Sequence, residues 1–160
     1  MLKQHVLVAP RIVDRPATRM AVIETVGDPD EVGSPAVGAL YGAIVQLGLE
    51  GGNLCSRWPN ASDDPREEWV TRWALPVPEH TPQLGPGIGL ELWYGHLVAE
   101  IVHDGPFDEA GVQDIKRLQR FIFDCGYEIA GDPEEEYLTR PSEEPQRTIV
   151  RYEIRQKPHH

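Results

Sequence analysis

The sequence predicts an α+β fold: a duplicated βαββ unit with pseudo-twofold symmetry, forming an antiparallel sheet with two helices packed on it. Three observations lead there. The chain matches itself when slid by 78 residues, each matching segment carries one apolar helical stripe ending at a glycine, and β-rich runs flank each stripe.

In the self-match Ile23 falls on Ile101, Gly27 on Gly105, Glu31 on Glu109, Gly33 on Gly111, Leu40 on Leu118, Ile44 on Ile122 and Gly48 on Gly126, without a gap. Residue frequencies of about 5–10% would place only one or two coincidences in a stretch of that length. Taken in order, residues 20–26 are rich in β-formers and run into the turn Gly27-Asp28-Pro29, while residues 97–103 run into Asp104-Gly105-Pro106. Each reads as a strand leading into a turn. Val37, Leu40, Ile44 and Leu47, and in the second copy Ile115, Leu118, Ile122 and Cys125, are spaced for one face of a helix. Gly48 and Gly126 stand where a helix ends in the left-handed conformation.

After each helix the match resumes at an offset of 79, with Trp58 on Tyr137, Val70 on Ile149, Arg72 on Arg151, Trp73 on Tyr152 and Leu75 on Ile154. These segments read as further strands. A connection is expected at 60–66. The stretch 76–89 reads as a linker or lid, because Pro76, Pro78, Pro82 and Pro86 exclude a central strand. The repeats cover roughly 19–89 and 90–156 of a single domain spanning 1–160, with about 19 residues before the first strand. A helix with one apolar stripe cannot bury it alone, so the units are expected to pack together with a ligand cleft between the halves.

Composition narrows the function classes. With 26 acidic and 15 basic residues the net charge is -11, a field that repels a phosphate backbone, so direct nucleic-acid binding is not expected. Cys55 and Cys125 form no CxxC and have no histidine pair nearby, which indicates neither a disulfide framework nor a metal site and fits a reducing cytoplasm. The apolar stretch at 6–9 is too short for a signal segment, and no run is long enough to span a bilayer. No membrane association and no cofactor are implied.

The run Val98-Ala99-Glu100-Ile101-Val102-His103-Asp104-Gly105-Pro106-Phe107, the helix end Asp124-Cys125-Gly126-Tyr127 and the segment Glu135-Glu136-Tyr137-Leu138 followed by Pro141 resemble the GyrI-like small-molecule-binding domains, also known as the AraC-type effector-binding domain. The resemblance is strongest from about Leu90 to Arg155 and takes in the closing strand. It implies a cleft that binds a small organic ligand, amphipathic and often cationic, as in multidrug binding and transcription regulation. By the family's Glu-x-Tyr motif it implies Glu135 as the binding acid and Tyr137 as its partner. Family members often carry a helix-turn-helix ahead of this domain. The short segment before the first strand leads us to expect a stand-alone member.

On a strand Glu135 and Tyr137 share one face while Glu136 takes the other. A carboxylate in apolar surroundings gains by meeting a cation, and aromatic faces add roughly 0.5–2 kcal/mol per cation–π contact. The first copy has Ser56 and Trp58 where the second has Glu135 and Tyr137, so a chemically lopsided cleft is expected. Trp58, Trp73, Trp93 and Tyr94 are the further ligand-binding candidates. For Trp69, Trp73 and Trp93 core packing and pocket lining are both open. His103, beside its turn, reads chiefly as a structural residue, and Arg72 and Arg151 as residues of solvent-exposed strand faces.

Binding that senses or sequesters a ligand is the first function to consider. Hydrolysis of reactive cyclopropane-containing compounds is the second: the resemblance implies it for some GyrI-like proteins, with Glu135 and Tyr137 as the catalytic pair. A gyrase-inhibitor-like docking on a basic protein partner is the third.

Overall fold

A computed structural model of the chain describes residues 9–49, 52–58, 65–105, 109–139 and 146–158. Most of the connection expected at 60–66, together with Pro106, Phe107 and Pro141, lies outside these residues. The strands are Arg11–Arg15 (β1), Thr18–Val26 (β2), Cys55–Arg57 (β3), Val70–Pro76 (β4), Gly89–Trp93 (β5), His96–Asp104 (β6), Tyr127–Ile129 (β7), Glu134–Tyr137 (β8) and Arg147–Gln156 (β9). The helices are Pro29–Gln46 (α1) and Glu109–Asp124 (α2). The described residues are therefore α+β, with two α-helices on antiparallel strands.

Two compact units result. One is made of 16–95; the other combines 96–160 with the N-terminal segment through Arg15. The first unit has strand order β3-β4-β2-β5 with α1 against β2 and β4. The second has order β1-β6-β9-β8, with β7 also on β9, and α2 against β6, β7 and β9. Strands β1, β5 and β7 go beyond the sequence reading. The earliest, β1, pairs with β6 through Arg11↔Glu100 and Val13↔Val98, so the chain is ordered well before residue 19.

The local signals act as the sequence reading expects. Asp28 caps α1, its carboxylate accepting from the Asp30 amide at 3.0 Å, and Pro29 opens the first turn, where its missing N–H costs nothing. Gly48 (φ +67°) and Gly126 (φ +85°) close the two helices in the conformation that only glycine adopts without strain.

Each helix covers one core. Ala36, Leu40 and Ile44 of α1 pack on Ala21, Trp73 and Leu75, and Leu118 and Ile122 of α2 on Ala99, Ile101, Val150, Tyr152 and Ile154. The end members of the expected stripes, Leu47 and Cys125, are exposed, because both fall past the last helical turn. The stretch 77–88 is irregular but not loose: Val77 and Ile88 are buried in the α1 core, and Thr81 is buried with its hydroxyl on the Pro78 carbonyl.

The ladder registers revise the correspondence of the closing strands. Ile23 pairs with Trp73 whereas Ile101 pairs with Val150, so Trp73 answers to Val150 and Ala74 to Arg151. Arg72 and Arg151 are thus not equivalent, and Arg151 is not on a solvent-exposed face: it is 0% exposed. On the sheet face away from α1, Val22, Ala74 and Cys55 form one cross-strand row of an apolar cluster with Met20 and Trp93. In the second unit the same row reads Glu100, Arg151 and Glu134. One copy fills this layer with hydrocarbon and the other with ions.

The ionic layer is closely knit. Arg151 donates from Nε to Glu100, from Nη1 to Glu134 and from Nη2 to Glu136, while Arg11 and Arg15 donate to Glu100 from β1. Burial pushes the Glu100 carboxyl up, but Arg151, Arg11 and Arg15 outweigh it and hold the group below the usual carboxylate range.

Candidate functional site

Alternation along β8 separates its three glutamates. Glu134 and Glu136 turn to the ionic face and are bound by Arg151. Glu135 pairs with Val150 and Tyr137 with Thr148, which places both on the face that carries α2. The Tyr137 hydroxyl donates to Glu135 Oε2 at 2.9 Å. Among the described residues no arginine or lysine forms an ion pair with Glu135, in contrast to both of its neighbours. Burial raises its carboxyl above the ordinary value, against smaller downward contributions from the Tyr137 bond and from His103.

The row next to Glu135 supplies two more polar groups. Tyr137 pairs with Thr148, and Thr148 with His103, so these three lie side by side on the α2 face with the small threonine in the middle. With strands about 4.8 Å apart, the Tyr137 and His103 backbones are roughly 10 Å from each other. His103 is 2% exposed, and its Nδ1 lies 2.8 Å from Oδ2 of Asp114 on α2. A carboxylate only accepts, so this pairing puts a ring hydrogen on Nδ1. Arg117 holds the other Asp114 oxygen at 3.2 Å. The set can place a carboxylate, a phenol and an oriented imidazole around one partly exposed threonine.

His103 and Asp114 were missed as site candidates from sequence. The signal lay in the repeat: at the same offset of 78 the first copy has Thr25 and Ala36. Asp114 is four residues before Leu118, on the helix stripe that faces the sheet, where an acid needs a partner.

The other candidates do not gather in one place. Trp73 lies under α1, 8% exposed, its Nε1 on Thr25 Oγ1 at 2.9 Å and its ring against Gly33, where a Cβ would stand 2.9 Å from it. Val150, at the matching position beside Glu135, is a much smaller side chain. Trp93 is on the opposite face from Trp73, within the apolar cluster of Met20 and Val22. The Arg57 guanidinium stacks on the Trp93 ring, 3.7 Å from its centre, and the Trp93 Nε1 donates to Glu91, which Arg72 also binds. Tyr94 sits edge-on to Trp93 with a left-handed backbone (φ 70°). Trp58 is half-buried just after β3, and Trp69 carries Arg66 over its ring. Among the described residues no group of three His, Cys, Asp or Glu side chains is arranged to hold a metal ion, and no helix is long and apolar enough to cross a membrane.

This arrangement of βαββ units defines the chain as a protein of GyrI-like fold. Solved structures with the same architecture are a hydrolase from Listeria innocua (TM-score 0.78, 18% identity, covering 96% of this chain and 95% of that one) and the C-terminal domain of EcmrR (TM-score 0.74, 13% identity, 92% and 98%). A more distant one is SAV2435 bound to tetraphenylphosphonium (TM-score 0.52, 9% identity, 91% and 93%). No protein-family model matches the chain, and no curated protein is similar to it in sequence. At these identities the likeness is one of fold.

Proposed function

We propose that this protein binds an amphipathic organic cation at Glu135 and Tyr137 and so senses or sequesters it. The observation that carries the reading is the contrast within β8: three successive glutamates, two of them bound by Arg151 and the middle one half-buried on the helix face, where among the described residues the Tyr137 hydroxyl is its hydrogen-bond partner. A carboxylate so placed is stabilised by an incoming cation, and it rejects a neutral ligand of the same shape, which would leave its charge uncompensated. The binding of tetraphenylphosphonium by SAV2435, a protein of the same fold, supports this class of ligand.

The test is a titration with tetraphenylphosphonium beside neutral triphenylphosphine oxide, read by calorimetry and tryptophan fluorescence. Saturable binding of the cation, lost in Glu135→Gln, is the expected result. Equal affinity for the neutral compound, or no saturable response in wild type, would sink the proposal.

A hydrolytic reading is favoured by a separate observation, the Asp114-oriented His103 in the row beside Tyr137. Such a pair suits the activation of a water molecule, with the Tyr137 hydroxyl as hydrogen-bond donor. Incubation with a cyclopropane-containing alkylating compound separates the two readings. Turnover lost in both Glu135→Gln and His103→Asn supports hydrolysis, whereas binding without turnover supports the sensor.

A further inference from the structure

Arginines in this acidic chain are met by carboxylates almost wherever they occur: Arg11 and Arg15 by Glu100, Arg66 by Asp28, Arg72 by Glu91, Arg147 by Asp104 and Arg155 by Glu128. Arg19, among the described residues, has no such partner. It is half-buried on β2, on the same face as Ala21 of the α1 core, and its Nη2 donates to the Thr81 carbonyl at 3.2 Å. Its Nε is buried with no hydrogen-bond partner, and among the described residues no carboxylate forms an ion pair with it. In a chain of net charge -11 a guanidinium left uncompensated is unusual.

The space beside it is equally specific. Arg19, Gln83, Ile88 and Leu90 line a cavity of about 400 Å³ in the first unit, where the irregular stretch 77–88 passes over β2 and β5. That is within the range of small-molecule sites, roughly 300–1,000 Å³. Its chemistry is divided: two aliphatic walls, one amide and one cation without an acid. A guanidinium without a counter-ion is stabilised by an incoming carboxylate, which it meets with charge-assisted hydrogen bonds.

We propose that this cavity is a binding site for a small aliphatic carboxylate, with the carboxylate on Arg19 and the hydrocarbon against Ile88 and Leu90. It is independent of the Glu135 reading, since it takes a ligand of opposite charge on other residues.

The probe is octanoate, compared with neutral 1-octanol and with inorganic phosphate, by calorimetry on the full chain and by the Nε–H resonance of Arg19. Octanoate is expected to bind saturably, about tenfold or more tighter than 1-octanol, and to shift that resonance; Arg19→Gln should bring octanoate down to the level of the alcohol. Gln83→Trp, a change at an exposed wall residue, should weaken both by filling the space. Phosphate binding as strongly as octanoate would overturn the aliphatic part of the proposal. Octanoate no tighter than 1-octanol, or unweakened by Arg19→Gln, would overturn the whole. Should Arg19→Gln fail to fold, an Arg19 Nε–H signal in wild type that octanoate leaves unmoved overturns it equally.

Discussion

Replacing Glu135 by glutamine removes a charge while keeping size, shape and an acceptor for the Tyr137 hydroxyl, so its consequences isolate the electrostatics of the proposed site. In the wild type, burial without an arginine partner raises the carboxyl above its ordinary value. A carboxyl with a raised folded-state pKa favours the folded chain while protonated. That advantage is lost as pH climbs from the ordinary carboxylate range through the raised value, and at neutral pH the ionised group is a net penalty. Glu135→Gln should therefore be more stable than wild type at pH 7, by on the order of 1 kcal/mol, the low end of the cost of an uncompensated buried polar group. For a chain of 160 residues this corresponds to about 2–4 °C in the unfolding midpoint. Below the ordinary carboxylate range the difference should vanish.

Binding should change in the opposite direction. Loss of a charge-assisted contact of about 1.5–3 kcal/mol weakens a lipophilic cation roughly 10- to 150-fold. The wild-type affinity should rise with pH through the Glu135 titration and the variant's should stay flat. Calorimetric unfolding and titration across pH measure both halves. A variant less stable than wild type at pH 7 that still binds the cation at full strength would refute the reasoning.

Other changes follow from the same contacts. His103→Asn removes a group that lowers the Glu135 pKa, and Tyr137→Phe removes its hydrogen bond, so either should move the pH midpoint of cation binding upward; an unchanged or lowered midpoint counts against the site as drawn. Arg151→Ala leaves Glu100 and Glu134 buried without their shared cation and should cost about 3–5 kcal/mol in denaturant unfolding. The triple change Glu100→Val, Arg151→Ala, Glu134→Cys copies the first unit's row and should recover most of that loss. Because Glu100 is held below the usual carboxylate range, stability from this layer should be full above that range and fall away as pH drops through the lowered value. Gly33→Ala drives a methyl into the Trp73 ring and should cost about 1–3 kcal/mol, less in a Trp73→Phe background, whose smaller ring lacks the atoms in contact.

How far the sequence reaches depends on whether a signal is local. The helices were legible because the stripes of Leu40 and Ile44, and of Leu118 and Ile122, repeat at helical spacing and end at Gly48 and Gly126, whose φ values are those a helix stop requires. Alternation along β8 is equally local: once Glu135 to Leu138 is a strand, Glu135 and Tyr137 must share a face. The repeat that related the two copies was visible for the same reason, since duplicated elements keep their own patterns.

Pairing between distant strands is not written locally. The match of Arg72 with Arg151 looked sound along the chain, yet the ladders place Ala74 opposite Val22 and Arg151 opposite Glu100, so a register that shifts by two residues turned an expected surface arginine into the most buried charge of the second unit. Trp73 and Trp93, alike in composition, were sent to opposite faces by the pairing of β2 with both β4 and β5. By itself the sequence determined the element types, the duplication and the partners along each strand, because these rest on neighbours a few residues apart. Tertiary structure alone decided which glutamate Arg151 would leave unbound, that Asp114 would reach His103, and that Arg19 would go without an acid, because each depends on groups brought together across tens of residues by strand register and helix packing.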